Sequence, residues 1–414
     1  MSAPPPTLAA ARDAAPSPQA SARAGIAASA GVFVAALCAF LAIGAALPVL
    51  PAFVRGPLHA SDLAVGVVVG AFAITSVVCR PLAGRQADRR GRRIVLVGGA
   101  LAMALGGALY LLSDSVPTLI AARLVVGAGE GAVYTAGATW AVDLAPADRR
   151  GLALGLFGLS VWGGLSLGPL AGELLRSGVG YNAVWVLTAA LPLAGAAIAA
   201  RLPEPARLAD SMPAAPSRLF PRSARRPGTA LALANVGYAA LAGFVVLHLQ
   251  RRGIGGGASV FTVFAVAVFA SRLVLSHVPD RAGARRTATA AGLLEALGLT
   301  VIALAGSLPI ALAGALVVGV GFSMLFPSLA LMVVGEVGED GRGSALGAFT
   351  AFFDIGVGLG GPLAGLTASL AGYPAVFVLA AVAALGSASL AAIPADTTGA
   401  RRSFSRRSSV HARG

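Results

Sequence analysis

Arg123, Glu130, Glu295 and Asp354 are charged residues set in stretches that are otherwise apolar. A charge in a hydrocarbon interior costs several kcal/mol unless it faces a partner or a wet cavity, so each position calls for a physical reason. Arg123 and Glu130 are seven residues apart, about two helical turns, and share one face of a helix. A carboxylate held out of water at Glu130 or Asp354 can take up and release a proton, which is the chemistry of proton-coupled movement. Structural alternatives stand beside this: a static ion pair for Arg123 and Glu130, and a helix-packing hydrogen bond for Asp354. Glu295 suits a structural role. Arg80 and Arg272, near the ends of their stretches, suit gating or packing better than substrate contact. Other chemistries find little support. The chain has four histidines, no Walker-type phosphate loop and no plausible Ser/His/Asp set, so neither an ATP-driven pump nor an enzyme is expected. No cofactor or metal is expected. Cys38 and Cys79 both fall inside apolar stretches, which argues against a disulfide or metal site.

The elements that position these charges repeat at an offset of 192 residues. Leu124-Val125-Val126-Gly127 returns as Leu316-Val317-Val318-Gly319, and Gly129 as Gly321. Asp88-Arg89-x-Gly91 returns as Asp280-Arg281-x-Gly283, and Arg80 as Arg272. Arg150-Gly151-x-Ala153-Leu154-Gly155-x-Phe157 returns as Arg342-Gly343-x-Ala345-Leu346-Gly347-x-Phe349. One offset across three segments implies two homologous halves, which in an apolar chain points to a transporter with its site between them. The repeat also separates fold from function. Arg123 aligns with Ala315, Glu130 with Phe322, Asp354 with Trp162 and Glu295 with Met103, so these four charges have no counterpart.

Hydrophobic residues make up 57% of the 414 and charged residues only 12%, too few for an ordinary soluble domain, in which roughly a quarter are charged. Twelve apolar stretches between Val32 and Ile393 are each long enough to cross a bilayer, which takes about 20 residues. The expected fold is an all-α polytopic membrane protein of twelve transmembrane helices in two pseudo-symmetric six-helix halves. Residues 1–24 read as a disordered tail, 25–200 as the first half, 201–227 as a linker, 228–393 as the second half and 394–414 as a basic tail. The first apolar run is too long for a signal-peptide core and is read as the first helix. All 31 basic residues are arginine; 24 fall in the termini, the linker and alternate loops, against four on the opposite side and three within helices. The positive-inside rule then places both termini in the cytoplasm. Topology accounts for the net charge of +14 without nucleic acid, since the arginines sit in short loops with no aromatic interleaving.

The loop after the second helix reads Gly84-x-x-x-Asp88-Arg89-x-Gly91-Arg92-Arg93. It resembles the signature loop of the major facilitator superfamily, and the resemblance covers essentially the whole chain. The second copy is degraded: Ser276 replaces the first glycine and Ala284 is inserted. In the fifth helix Gly155, Gly164, Gly168-Pro169 and Gly172 resemble the antiporter element of that superfamily, with Glu173 departing from the pattern. The run Phe352-Phe353-Asp354-Ile355-Gly356, with Gly361-Pro362 beyond it, is similar to drug- and sugar-efflux permeases grouped with arabinose exporters. The resemblance implies alternating access, a coupling role for Arg123 at the basic position of the fourth-helix motif, and gating by the loop, including Asp280 and Arg281 in its second copy. Tyr134, Trp162, Asn235, Tyr238, Phe326, Phe352 and Phe353 are the expected cavity lining.

The expected protein is thus a monomeric, proton-coupled exporter of a small molecule such as a drug or sugar, in the lipid bilayer of a bacterial inner membrane. Import, or sensing without transport, are the alternatives. Reporter fusions should place residues 84–93, 201–227 and 394–414 in the cytoplasm. An extracellular signal from the linker would require an odd number of helices before it and end this topology.

Overall fold

The computed structural model describes residues 18–146, 149–204, 221–337 and 342–394. The expected tail up to residue 17, most of the linker and the tail from residue 395 lie outside the described residues. The first half comprises α1 (Pro18–Ala46), α2 (Val49–Arg55), α3 (Asp62–Arg90), α4 (Arg92–Tyr110), α5 (Val116–Asp143), α6 (Arg150–Gly178) and α7 (Tyr181–Ala200). The second comprises α8 (Arg222–Arg251), α9 (Gly257–Leu275), α10 (Val278–Ala282), α11 (Ala284–Leu304), α12 (Leu308–Gly335), α13 (Arg342–Ala371) and α14 (Tyr373–Ala392). With α1 and α2 joined across a break before Pro48 and α10 too short to span, the described helices provide twelve membrane spans. Helix α1 begins inside the segment expected to be solvated, and α8 begins with the last arginines of the linker.

Local sequence accounts for the boundaries. The Ser61 hydroxyl accepts the Ala64 N–H at 3.2 Å and caps α3, while Ser115 and Thr118 form a capping box at α5. Gly91 and Gly283, a repeated pair, turn the chain at φ of 108° and 90°, a region that favours glycine. Outward faces are apolar: Leu101, Leu193, Leu297 and Leu385 are all exposed on α4, α7, α11 and α14. Such surfaces suit lipid, not water.

The repeated glycines are contact points between helices. A Cβ on Gly129 would come 2.5 Å from the Gly99 carbonyl oxygen, and one on Gly321 would come 2.5 Å from that of Ala291. Residues kept in both halves are therefore kept by packing, since small residues let backbones approach. The glycines of α6 behave similarly. Gly164, Gly168 and Gly172 lie against the backbone of α1, with a Cβ on Gly168 only 2.6 Å from the Ala45 nitrogen. Their flat surface is filled within the half, whereas a Cβ on Gly155 would meet nothing within 4 Å.

The halves pack closely on each other at one end. Near the start of α3, a Cβ on Gly70 would lie 2.8 Å from the Gly358 oxygen, and one on Gly365 would lie 2.6 Å from the Asp62 oxygen. Tyr373 donates its hydroxyl to Asp62 at 2.9 Å across the same seam. At the arginine-rich end, a Cβ on Gly151, Gly155 or Gly347 would have open space around it. Gly168→Ala should therefore lower the melting temperature in detergent, at an overpacking cost of about 1–3 kcal/mol, while Gly155→Ala leaves it unchanged. Equal melting temperatures for the two variants would contradict the α1–α6 contact.

Candidate functional site

A central cavity lies between the halves, with an empty volume of ≈ 870 Å³ counted to its open mouth. Its charged lining is Arg80, Glu130, Arg272 and Asp354. Arg80 projects from α3 and is gripped from two sides. Its Nε donates to Asp354 Oδ2 at 2.7 Å and its Nη2 to Asp354 Oδ1 at 3.2 Å. Nη2 also donates to Glu130 Oε1 at 3.1 Å, and Ser76 donates its hydroxyl to the other oxygen of Glu130. The guanidinium lies 4.4 Å over the ring of Tyr134. Glu130 is 4% exposed and Asp354 1%, so these bonds form in a low-dielectric interior where each is strong and a missing one is costly. Asp354 belongs to the second half and Arg80 to the first, so this ion pair spans the interface.

One expectation needs correction. Arg123 makes no ion pair with Glu130 among the described residues. It is fully buried and donates to the carbonyl oxygens of Val68 and Val69, both at 3.1 Å, with Phe72 under its guanidinium at 4.6 Å. Seven residues along a helix is about 10 Å, beyond hydrogen-bond reach, and the neighbouring helix α3 supplies Arg80 instead. Arg80 and Arg272, expected at gates or in packing, both line the cavity. Their signal was present in the repeat: a pair of symmetric arginines within apolar helices.

Of the expected lining, Tyr134, Trp162, Tyr238, Phe326 and Phe353 face the cavity. Asn235 does not; its side chain donates to the Leu231 carbonyl at 2.8 Å and lies against Gly356. Phe352 is turned toward Gly228, where a Cβ would run into its ring. Glu295 is fully buried and stands apart from the cavity, packed against Gly237 of α8, with no hydrogen-bond partner for either oxygen among the described residues.

The signature loop forms a separate cluster at the arginine-rich end. Arg92 bridges Asp88 and Asp143, the latter at 3.0 Å from its Nε, tying the α3–α4 turn to the end of α5. Glu204, just beyond α7, accepts the backbone N–H of Arg92 and, at 3.1 Å, that of Arg93. A carboxylate on those first N–H groups of α4 is stabilised by the helix dipole. Asp143 and Glu204 carried no sequence signal, because their partners come from distant segments. In the second copy, Asp280 has no ion pair among the described residues, and the inserted Ala284 begins α11.

A family model of the Major Facilitator Superfamily matches residues 32–277 and 254–411. The chain belongs to that superfamily. An uncharacterised MFS-type transporter of Salmonella typhimurium is 35% identical over 354 residues, 84% of this chain and 91% of its own length. One from Burkholderia mallei is 32% identical over 366 residues, 86% and 88% of the two chains. Among solved structures, the nucleoside transporter NupG, as a mutant, superposes with a TM-score of 0.72 at 15% identity, over 88% of this chain and 98% of its own. The human organic anion transporter MFSD10 gives 0.67 at 19%, over 89% and 99%. At such identities these two speak for the fold alone. The chain is therefore a multi-pass membrane transporter of the superfamily, not an enzyme. In this MFS transporter the Arg92 bridge links three helices through Asp88 and Asp143, and among the described residues Asp280 in the second copy has no such ion pair. Asp88→Asn should accordingly slow transport more than Asp280→Asn at matched protein levels. Equal rates for the wild type and Asp88→Asn would show Asp88 to be dispensable.

Proposed function

We propose that this chain is a monomeric, proton-coupled antiporter of the bacterial inner membrane that exports a small molecule by alternating access. The observation that carries the proposal is the Arg80 cluster: one guanidinium, two carboxylates, and an ion pair that crosses between the halves. A proton arriving on Asp354 removes the charge that holds Arg80 from the other side. Protonation then acts directly on a bond between the two bodies that must rock. Glu130, in the same half as Arg80, would keep the cation compensated while the interface rearranges. Bacterial relatives support an inner-membrane location. The positive-inside pattern supports a cytoplasmic position for the arginine-rich end, where an exporter would load its substrate. The resemblance of α6 and of the Phe352–Gly356 run to antiporters and efflux permeases supports the outward direction. The packing of Gly164, Gly168 and Gly172 on α1 gives that element a structural task as well.

In Glu130→Gln or Asp354→Asn the amide mimics the protonated acid permanently. Each variant should lose most pH-gradient-driven flux in proteoliposomes and keep substrate exchange. Arg80→Ala should be worse than either, because stranding buried charges costs about 3–5 kcal/mol. Undiminished uphill transport in both carboxylate variants would remove the cluster from the coupling mechanism.

A further inference from the structure

The repeat places two arginines in the cavity, Arg80 and Arg272, at matched positions. The surroundings of the two are not matched. Around Arg80 the compensating residues are Glu130 and Asp354. The positions equivalent to these in the other copy are Phe322 and Trp162. Both stand beside the second arginine's site: the Arg272 guanidinium carbon lies 5.0 Å from the Trp162 ring centre, and that ring lies 5.6 Å from Phe322. Two aromatic side chains thus occupy the places that two carboxylates hold in the first copy. Among the described residues Arg272 has no ion pair or hydrogen bond, and its Nε is buried without a partner. The ring of Trp162 contributes roughly 0.5–2 kcal/mol of cation–π attraction but satisfies none of the N–H donors.

We infer that the cavity takes an amphipathic organic acid as its substrate, with Arg272 binding the anionic group and the aromatic lining holding the apolar body. This rests on the cavity being the substrate site proposed above. A guanidinium presents a planar fork of five donors that matches a carboxylate in a bidentate manner, and here that fork has no acceptor among the described residues. The formal charges of the cavity cancel, but both of its anions are engaged by Arg80, which leaves the compensation on one side only. A cationic substrate would be repelled by Arg272 and would have to displace Arg80 to reach a carboxylate. A sugar would find few hydrogen-bonding groups beyond the charged cluster, chiefly Tyr134, Tyr238 and Thr350. An anion supplies the missing charge, and its aromatic body meets Phe40, Phe72 and Phe353. Export also suits this charge. An inside-negative potential drives an anion outward by about 2.3 kcal/mol per 100 mV.

The test compares three probes of one shape, naphthylacetate, naphthylacetamide and naphthylethylammonium, on the purified full chain in detergent. Binding is read by tryptophan fluorescence, to which Trp162 contributes from the cavity wall, and by thermal shift. The wild type should bind the acid at least about tenfold tighter than the amide, the magnitude of a hydrogen bond to a charged group, and bind the ammonium weakest. Arg272→Gln should lose the preference for the acid while still binding the amide, which shows that its cavity is folded. Arg272→Lys should retain part of the preference. Tighter binding of the amide or the ammonium, an undiminished acid preference in Arg272→Gln, or no binding of any probe would each overturn the inference. The measurement uses no proton gradient. An acid preference without pH-driven flux would therefore count against proton coupling alone, and coupled flux of a neutral or cationic compound would count against the anion alone.

Discussion

A guanidinium buried in a membrane-spanning helix must find its counter-charges inside the protein, and Arg80 does so by reaching from one half of the molecule into the other. Several other features depend on that requirement. Glu130 and Asp354 can remain in an apolar interior because they share one cation, and Ser76 and Tyr134 complete its surroundings. The cavity stays polar at this point and aromatic elsewhere. Near the start of α3 the halves meet through glycine backbones and the Tyr373–Asp62 hydrogen bond, and within the cavity the Arg80–Asp354 pair joins them.

The internal repeat shows which parts are scaffold and which are specialised. Gly129 and Gly321, and Gly91 and Gly283, hold the same positions in both copies because helix contact and turn geometry demand it. The charge cluster breaks the symmetry. Arg80 has two acidic partners, whereas Arg272 has the ring of Trp162, with Phe322 packed against that ring, so matched positions meet different surroundings in the same cavity. Arg123 is asymmetric too, but its task is local: it fastens α3 to α5 through carbonyl oxygens.

Much of the fold was legible in the sequence because membrane spans leave a strong imprint. Long apolar runs, arginines sorted to one side and glycines at a fixed offset each have one physical cause. The candidate site was legible in part. Glu130 and Asp354 could be picked out because a charge lacked a counterpart in the other half, and Tyr134 and Trp162 because they are aromatic residues of inner helices. The partner of Glu130 could not, since pairing depends on how α3 lies beside α5, and helix periodicity carries no information between helices. Asn235 and Phe352 were misplaced for the same reason: a rotation of one residue about a helix axis, about 100°, turns a side chain from the cavity into a neighbouring helix. Glu204 was invisible because its role depends on the end of α7 lying beside the start of α4.

The central claim is that protonation of Asp354 shifts the two halves relative to each other. It is tested most directly by a distance measured between the halves at the arginine-rich end. Spin labels on Gly155→Cys and Gly347→Cys, both of which have room for a side chain, report that distance once Cys38 and Cys79 are replaced by serine. With Asp354 intact, lowering the pH should add a shorter distance to the distribution as the Arg80 pair is released. With Asp354→Asn the shorter distance should be present at every pH. The same pH response with and without Asp354 would contradict the claim.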